Sequence, residues 1–263
     1  MTRLDIELVN RQICETRSKA QMEIKSSNVL VNNKVITKSS FDVKQQDTIT
    51  LKSEGLKYVS RGGLKLEKAI NEFNINLNNK IMLDIGSSTG GFTDCALQNG
   101  IKQSICVDVG SNQLDEKIRI NPKVKVFENT DIRKFENDLL NKIDLITIDI
   151  SFISVTKIMP KLKEINAKEI ICLIKPQFEC GKEVADKYKG IILNKEVHEE
   201  VIKNVINEFK KINYYLNQIT SSPITGGNGN IEYLVYLTSE NKNSKINIKD
   251  LVEKTFKKLK SKE

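Results

Sequence analysis

Residues 81–94 of the chain read IMLDIGSSTGGFTD, and this stretch decides the fold. An apolar run with one acidic residue breaks into small residues before a second apolar pattern begins at Phe92. This order predicts a buried strand, a tight turn and the start of a helix. Glycines allow the backbone to approach a ligand closely, and hydroxyls beside the free amides of a helix N-terminus suit a polar ligand. The stretch therefore predicts a loop that binds a small polar molecule.

A second acidic residue supports a cofactor site. The apolar run 104–107 ends at Asp108, at the spacing at which dinucleotide-binding folds bind a ribose hydroxyl. The loop departs from the G-x-G-x-x-G fingerprint and lacks the Gly-Lys-Ser/Thr of a phosphate-binding loop. Because it offers no lysine to a polyphosphate, S-adenosylmethionine is the cofactor that fits best. The alternative is an ordinary strand-to-helix turn of an α/β domain.

We expect the loop to contact the methionine part of this cofactor and Asp108 to contact its ribose. Asp131 follows the third predicted strand and is a candidate to accept from the adenine amino group, although capping of the next helix explains it equally well. The candidate cofactor residues are Asp84, Gly86, Ser88, Gly90, Gly91, Phe92, Asp108 and Asp131.

Length and composition limit the classes of protein to consider. The 263 residues have room for one large domain, or for a medium domain with a small companion. The net charge of +8 indicates a polyanionic partner, although lysines that only solvate helix faces would give the same excess. Five cysteines without C-x-x-C spacing are expected to be reduced core residues, and no metal site is predicted. With no apolar run of signal or membrane length, we expect a cytoplasmic protein that does not bind membranes.

The N-terminal part predicts two short helices followed by strands. Residues 2–11 carry apolar side chains at helical spacing, and Thr16 is a candidate cap for a second helix. The segment 28–34 alternates and then turns at two asparagines, and a last short strand fits residues 48–51. We therefore predict a compact α+β module over residues 1–52.

Basic residues punctuate the helices and the hairpin of this module. A continuous basic face would match the phosphate spacing of structured RNA, whereas the alternative is a solvated helix pair. The module resembles the RNA-binding module named after ribosomal small-subunit protein four, with RLD at 3–5, RSKA at 17–20 and VLVN at 29–32. It departs from that pattern at Ser27 and Asn33, where glycines are usual. The candidate RNA-binding residues are Arg3, Arg11, Arg17, Lys19, Lys34 and Arg61.

Strands and helices alternate along the rest of the chain. The predicted strands are 81–85, 104–108, 123–127, 143–149, 169–174, 214–220 and 233–238, and the predicted helices are 92–98, 153–164 and 195–211. This alternation predicts an α/β fold with a mostly parallel sheet covered on both faces, and an antiparallel final pair. We predict a linker at 53–57, a Rossmann-like seven-stranded methyltransferase domain at 58–240 and a basic amphipathic helix at 241–263. The single histidine, His198, is expected to be exposed on a charged helix.

Four charged residues stand at predicted element ends. Lys65 falls in the first turn of a helix, where a lysine opposes the helix dipole. Asp149 and Lys175 close two strands at the carboxyl edge, where ligands bind in such sheets, and Glu232 opens the antiparallel last strand at the same edge. Because charges beside buried strands are costly unless paired or used, we predict that all four converge on one cleft. Separate structural salt bridges are the alternative.

Motifs over nearly the whole chain resemble the TlyA family, which pairs the RNA-binding module with an FtsJ-like methyltransferase domain. The motifs are SRGGLK at 60–65, LDIGSSTGGFTD at 83–94, VDVG at 107–110, DISFIS at 149–154, KPQFE at 175–179, SP at 222–223 and GNIEY at 229–233. The resemblance implies S-adenosylmethionine-dependent 2′-O-methylation of cytidine in ribosomal RNA of the small or large subunit. It also implies a Lys-Asp-Lys-Glu tetrad, which falls on Lys65, Asp149, Lys175 and Glu232.

The chemistry of a ribose hydroxyl is consistent with that implication. A 2′-hydroxyl is a poor nucleophile until its proton is accepted, and a lysine accepts a proton only as a neutral amine. Burial beside Lys65 would favour the neutral form of Lys175, whereas Asp149 and Glu232 oppose this and orient the amine. We therefore predict that Lys175 engages the hydroxyl.

Two other functions remain as alternatives. One is a non-catalytic RNA-binding or ribosome-assembly factor, against which the intact tetrad argues. The other is a membrane-active haemolysin, a name that members of the family have received. In the favoured interpretation the protein is a monomer whose partner is ribosomal RNA or a ribosomal subunit.

Overall fold

The computed structural model describes residues 1–52, 57–226, 228–241 and 246–260 of the chain. These residues belong to two compact units, residues 1–61 and residues 62–263. Most of the predicted linker, residues 53–56, lies outside the described residues, as do 242–245 and 261–263 of the predicted C-terminal segment. The predicted domain boundaries therefore stay predictions.

The first unit combines two helices with short strands. Its elements are β1 (Thr2–Arg3), α1 (Leu4–Asn10), α2 (Arg17–Lys25), β2 (Val29–Val31), β3 (Lys34–Val35), β4 (Asp42–Val43) and β5 (Ile49–Leu51). Thr16 caps α2 as predicted, since its hydroxyl accepts from the amide of Lys19 at 3.2 Å. Leu4, Leu8 and Ile24 are fully buried between the helices and strands.

The prediction of a helix over residues 2–11 is wrong at its start. Thr2 and Arg3 pair with β4 in an antiparallel ladder, and the helix begins only at Leu4. The apolar spacing of residues 4–9 gave no signal for this pairing, because β4 lies about forty residues further along the chain.

Left-handed backbone conformations occur where the resemblance expects glycines. Ser27 has φ of 62° and Asn33 has φ of 64°, and Asn32 before it has φ of 50°. Asparagine tolerates this conformation better than most side chains, which explains the tight hairpin between β2 and β3.

A seven-stranded sheet forms the centre of the second unit. Its strands are β6 (Ile81–Ile85), β7 (Gln103–Val107), β8 (Val124–Phe127), β9 (Leu145–Ile148), β10 (Glu169–Ile174), β11 (Tyr215–Ser221) and β12 (Tyr233–Thr238). They lie in the order β11-β12-β10-β9-β6-β7-β8, and β12 is antiparallel to both of its neighbours. The other neighbouring pairs are parallel. The predicted Rossmann-like fold and its antiparallel ending are confirmed.

Helices cover the sheet. They are α3 (Gly62–Phe73), α4 (Gly91–Gln98), α5 (Glu116–Arg119), α6 (Met159–Ile165), α7 (Pro176–Glu179), α8 (Lys182–Lys187), α9 (Lys195–Lys211) and α10 (Ile248–Lys260). The predicted helix 153–164 is a 3-10 turn, Val155–Ile158, followed by α6. Pro160 lies in the first turn of α6, where its missing amide costs nothing.

The C-terminal helix belongs to the packed structure of the second unit. It contacts α9 and β11, and Val252 and Phe256 lie in the same core cluster as Val201 and Phe209 of α9. Within the described ranges, no helix combines the length and the apolar character needed to cross a membrane.

His198 corrects the sequence-based expectation, because it is buried. Its Nδ1 lies 2.9 Å from the hydroxyl of Tyr233, and its Nε2 lies 2.9 Å from the carbonyl oxygen of Ile192. Its ring also meets Phe256 edge-on, at 5.1 Å between centroids. The sequence shows only the charged neighbours on α9, whereas α10 and β12 cover this face of the helix.

We predict that His198 makes the stability of the protein depend on pH. Burial lowers its pKa, against the opposing hydrogen bond with Ile192, so the folded protein keeps this ring neutral where the unfolded chain protonates it. Its stabilising contribution is complete above the unfolded pKa of about 6.5 and is lost as the pH falls from there towards the lowered folded pKa. The difference in unfolding free energy between wild type and His198→Gln should therefore shrink between about pH 8 and about pH 5.

Urea unfolding at several pH values measures this difference. Asp84, whose pKa burial raises to about 6, titrates in the same range with the opposite sign, but it is present in both proteins and cancels. A difference that stays constant with pH would contradict a neutral, buried His198.

Candidate active site

The four predicted catalytic residues lie at one edge of the sheet. Ile174 at the end of β10 pairs with Tyr233 at the start of β12, so Lys175 and Glu232 are the next residues on adjacent strands. Asp149 follows β9, and its amide donates to the carbonyl oxygen of Ile85 at 3.0 Å. The antiparallel direction of β12 thus brings Glu232 to the edge at which the parallel strands end, as the sequence predicts.

Their side chains form a row of alternating charge. Nζ of Lys175 lies 2.6 Å from Oδ1 of Asp149, and Nζ of Lys65 lies 3.5 Å from Oδ2 of the same carboxylate. Lys65 also donates to Oε2 of Glu232 at 2.8 Å. Lys65, Lys175 and Glu232 are each less than a tenth exposed. The structure therefore brings together all four residues, which we call the charged tetrad.

The charged groups of the tetrad stabilise one another in their ionised forms. Burial alone would lower the pKa of Lys65, but the carboxylates of Asp149 and Glu232 outweigh it and raise that pKa. Burial likewise would raise the pKa of Asp149, but attraction to Lys65 and Lys175 outweighs it and lowers that pKa. Both groups are consequently held in their charged forms, which is how buried ions avoid an uncompensated cost.

Further contacts around the tetrad were not predicted. Lys175 also donates to the hydroxyl of Ser151 at 2.8 Å, and its ammonium lies 5.8 Å from the ring centre of Phe178. Glu179 accepts from the hydroxyl of Ser154 at 2.5 Å and from the amide of Val155 at 2.8 Å. The motifs DISFIS and KPQFE are therefore joined directly, by contacts between residues that lie 24 or 25 positions apart in the chain.

A cavity of about 480 Å³ lies beside the tetrad at the ends of β6, β7 and β9. Asp149 and Ser151 line it from the tetrad side. Four of the predicted cofactor residues line it as well, namely Gly86, Ser88, Asp108 and Asp131. Its volume lies in the usual range for small-molecule sites, roughly 300–1,000 Å³.

The carboxylate of Asp108 organises one wall of this cavity. It accepts from the amide of Ser88 at 2.8 Å and from the amide of Gly110 at 2.7 Å. The adjoining turn is fixed by Glu128, which accepts from the amides of Asn112, Gln113 and Leu114 and from the guanidinium of Arg119. Desolvation opposes these bonds, but together they lower the pKa of Glu128 to about 2. Glu128 was not predicted from the sequence, because its partners become its neighbours only in the fold.

Four other predicted cofactor residues do not line the cavity. Asp84 is fully buried and accepts from the hydroxyls of Thr93 and Thr147 at 2.7 and 2.8 Å. Phe92 is buried, Gly90 caps α4 with φ of 90°, and Gly91 begins that helix. These positions shape the loop, and direct contact with a cofactor stays a prediction for them.

The position of Asp131 is compatible with both interpretations of its role, which are capping of the next helical turn and contact with a cofactor. It caps a 3-10 turn by accepting from the amide of Arg133 at 3.0 Å, and it lines the cavity. The guanidinium of Arg133 also bonds both of its oxygens, which lowers the pKa of Asp131.

The candidate RNA-binding residues of the first unit divide into two groups. Arg3 and Arg17 both bond the buried carboxylate of Asp5, at 3.0 and 2.9 Å, and their side chains are 42% and 55% exposed. The bonds with Arg3 are the main reason that the pKa of Asp5 lies far below its usual range. One buried carboxylate thus fixes two guanidinium groups that remain open to solvent.

The remaining candidates differ in how many hydrogen bonds and ion pairs they make within the unit. Arg11 bonds Glu7 at 2.8 Å and the carbonyl oxygens of three residues between 44 and 47, so it ties a loop to α1. Lys19 pairs with Glu15 at 3.2 Å, Lys34 is exposed on β3, and Arg61 is half-buried. RNA binding by these residues stays a prediction.

Phe152 is an exposed aromatic residue in a backbone conformation that is costly for it. Its side chain is 88% exposed, its φ is 69°, and its ring centre lies 5.4 Å from that of Phe178. It also lines the cavity beside Asp149. A bulky residue with positive φ is rare and tends to occur at functional sites.

Comparison with known proteins agrees with this geometry. An S4 domain model matches residues 2–49, and an FtsJ-like methyltransferase model matches residues 58–239. A Campylobacter jejuni protein named 23S rRNA (cytidine-2'-O)-methyltransferase TlyA is 37% identical, over 87% of this chain and 96% of its own length. The chain belongs to the TlyA family.

Other TlyA-like proteins extend the match. A Bacillus subtilis protein with the provisional name rRNA methyltransferase YqxC is 46% identical, over 89% of this chain and 85% of its own length. A solved structure from Streptococcus thermophilus, which bears a provisional hemolysin name, is 36% identical with a TM-score of 0.78. That match covers 99% of this chain and 97% of the other. Within the described part of this TlyA family member, no group of three or more His, Cys, Asp or Glu side chains is arranged to hold a metal ion.

We predict that Gly86 cannot be replaced without loss of stability. Its φ is 80°, and an added Cβ would lie 2.8 Å from the carbonyl oxygen of Asp149. Gly86→Ala should lower the unfolding free energy by more than the roughly 1–2 kcal/mol that a left-handed conformation costs a non-glycine residue.

Gly190→Ala is the matched control. Gly190 has φ of 75°, but an added Cβ would meet no atom within 4 Å, so only the conformational cost applies. Urea unfolding of both variants measures the two costs, and equal losses would show that the close approach to Asp149 is unimportant.

Proposed function

We propose that the protein methylates the 2′-hydroxyl of cytidine in ribosomal RNA and uses S-adenosylmethionine as the methyl donor. The charged tetrad beside the 480 Å³ cavity is the observation that supports this proposal. The methyltransferase domain and the names of the relatives give the reaction class and the kind of substrate. Such a substrate would place the reaction in the cytoplasm.

The cavity suits the proposed donor. Gly86 lines the cavity, and its missing side chain lets the loop pack against the backbone of Asp149. The carboxylate of Asp108 would accept from ribose hydroxyls, and that of Asp131 from the adenine amino group. When bound, S-adenosylmethionine supplies an electrophilic methyl group.

Lys175 is the proposed acceptor of the hydroxyl proton. Lys175 bonds Asp149 and Ser151, which line the cavity, so its nitrogen lies behind these two residues and close to where a ribose oxygen would meet a methyl group. In its neutral amine form, Lys175 would accept the proton that the ribose hydroxyl loses as the oxygen is methylated. Because Lys65 also neutralises Asp149, that carboxylate keeps a partner when Lys175 is uncharged.

The RNA would be bound by both units, each through its own residues. The S4 domain offers the guanidinium groups of Arg3 and Arg17, which Asp5 fixes at the surface. At the methyltransferase domain, the exposed ring of Phe152 can stack on an unpaired base. A target nucleotide must leave its base stack to reach the buried side chains of the tetrad. An exposed aromatic ring beside them would stabilise the unstacked base.

We predict that Lys175→Met abolishes turnover while the donor still binds. Loss of a proton acceptor should reduce kcat by at least about 100-fold, because general bases typically contribute 10²–10⁴-fold. Lys175 does not line the cavity, so the dissociation constant of S-adenosylmethionine should change by no more than about twofold. Transfer of labelled methyl groups to ribosomal subunits measures kcat, and calorimetry measures binding.

Lys161→Met is the matched control. Lys161 is as buried as Lys175 and bonds Glu136 at 2.9 Å, but it lies on α6 outside the tetrad. Removal of its ammonium should leave kcat unchanged. An equal decrease of kcat in both variants would show that impaired folding causes the effect. Mapping of the label by 2′-O-methyl-sensitive primer extension identifies the nucleotide. Wild type that labels no cytidine in either subunit would refute the proposed function and favour a non-catalytic RNA-binding protein.

A further inference from the structure

A second cavity lies on the far side of the charged tetrad. It encloses about 390 Å³ beyond the carboxyl end of β11, between α3 and the C-terminal helix α10. Glu232 lines it, just as Asp149 lines the first cavity of about 480 Å³, which we call the cofactor cavity because of the function proposed for it. Since Lys65 contacts both carboxylates, the two cavities are separated by only three side chains of the tetrad.

Two lysines give this second cavity a basic lining. Lys68 comes from α3 and Lys258 from α10. Nζ of Lys68 donates to the carbonyl oxygen of Ser221 at 2.7 Å and lies 3.4 Å from the exposed carboxylate of Glu72. This bond holds the Lys68 ammonium at the end of β11, whereas Lys258 is an exposed residue of the lining.

The rest of the lining is apolar and hydroxyl-bearing. Pro223, Ile224 and Ile231 form the apolar part, and Thr225 and Thr255 bring hydroxyls. The carboxylate of Glu232 bonds Lys65 at 2.8 Å, so it adds little repulsion towards an anion. A wall of this mixed character, with lysines at its edge, matches a nucleotide with an apolar base face and an anionic phosphate.

The position of the cavity identifies the occupant. If Lys175 meets the target ribose, as the proposed function requires, the RNA strand crosses the tetrad and continues on its other side. We infer that the second cavity binds the nucleotide next to the target, with its phosphate between Lys68 and Lys258. The C-terminal helix α10 thereby forms part of the substrate site, and the inference rests on the proposed function.

Replacement of Lys258 by glutamine tests this inference. Lys258 is exposed, so Lys258→Gln should fold normally, which thermal unfolding checks. We expect the KM for ribosomal RNA to rise roughly tenfold and the salt dependence of binding to weaken by about one unit of slope, as for loss of one phosphate contact. The kcat at saturating RNA and the affinity for S-adenosylmethionine should stay unchanged, because neither the tetrad nor the cofactor cavity is altered.

Lys254→Gln is the matched control. Lys254 lies one turn earlier on α10 and pairs with Asp250 at 2.7 Å, but it does not line the cavity. Like Lys258→Gln, the Lys254→Gln substitution removes one positive charge from α10, so a long-range effect of net charge would affect both variants equally. The expected KM of Lys254→Gln stays within about twofold of wild type.

Lys68→Gln extends the test to the other wall of the cavity. Its effect on KM should match that of Lys258→Gln, and the double variant should show both losses. If wild type methylates RNA while Lys258→Gln behaves like Lys254→Gln, the inferred nucleotide site is refuted and the proposed function stands. If wild type does not methylate ribosomal RNA, the proposed function fails first. RNA binding by the same variants, measured by fluorescence anisotropy, then decides whether the cavity contacts RNA.

Discussion

The arrangement of the second unit depends on one partly buried carboxylate between two ammonium groups. Asp149 lies 2.6 Å from Lys175 and 3.5 Å from Lys65, and each lysine would be costly to bury without it. The sheet makes this contact possible because β9 and β10 end side by side, which places Asp149 and Lys175 on the same edge. Burial opposes the ionised form of Asp149, and the two lysines together overcome that opposition.

This edge of the sheet also sets the order of the two cavities and the charged tetrad. The cofactor cavity, the charged tetrad and the second cavity follow one another along the ends of β7, β6, β9, β10, β12 and β11. Gly86 brings the loop after β6 against the backbone of Asp149, so the first cavity and the charged tetrad share a wall. Glu232 lies at the other end of the charged tetrad, where it contacts Lys65 and lines the second cavity. Donor, acceptor and the adjoining nucleotide would thus be aligned by one row of strand ends.

Local patterns in the sequence predicted the features that depend on neighbouring residues. The limits of β6, β10 and β12 agree with the predicted strands, because apolar runs bounded by charges or turns mark both of their ends. The direction of β12 followed from the missing helix before it, and this placed Glu232 at the correct edge. The convergence of the tetrad was also predicted, from the cost of leaving charges unpaired beside buried strands.

Features that arise from distant contacts were not predictable in this way. His198 is buried because α10 and β12 cover one side of α9, and its charged neighbours along the helix concealed this. Arg11, a candidate RNA ligand, also bonds carbonyl oxygens more than thirty residues away, and its local sequence does not indicate these contacts. The second cavity needs three elements that are far apart in the chain, so no single stretch carries its signal.

The span of the tetrad along the chain has a consequence during protein synthesis. Lys65 and Glu232 are separated by 167 positions, and Glu232 precedes the last strand to be made. A nascent chain that already contains β6, β9 and β10 still lacks Glu232, the fourth residue of the charged tetrad. The row of four charges can therefore assemble only after the segment that carries β12 has been synthesised and has joined the sheet.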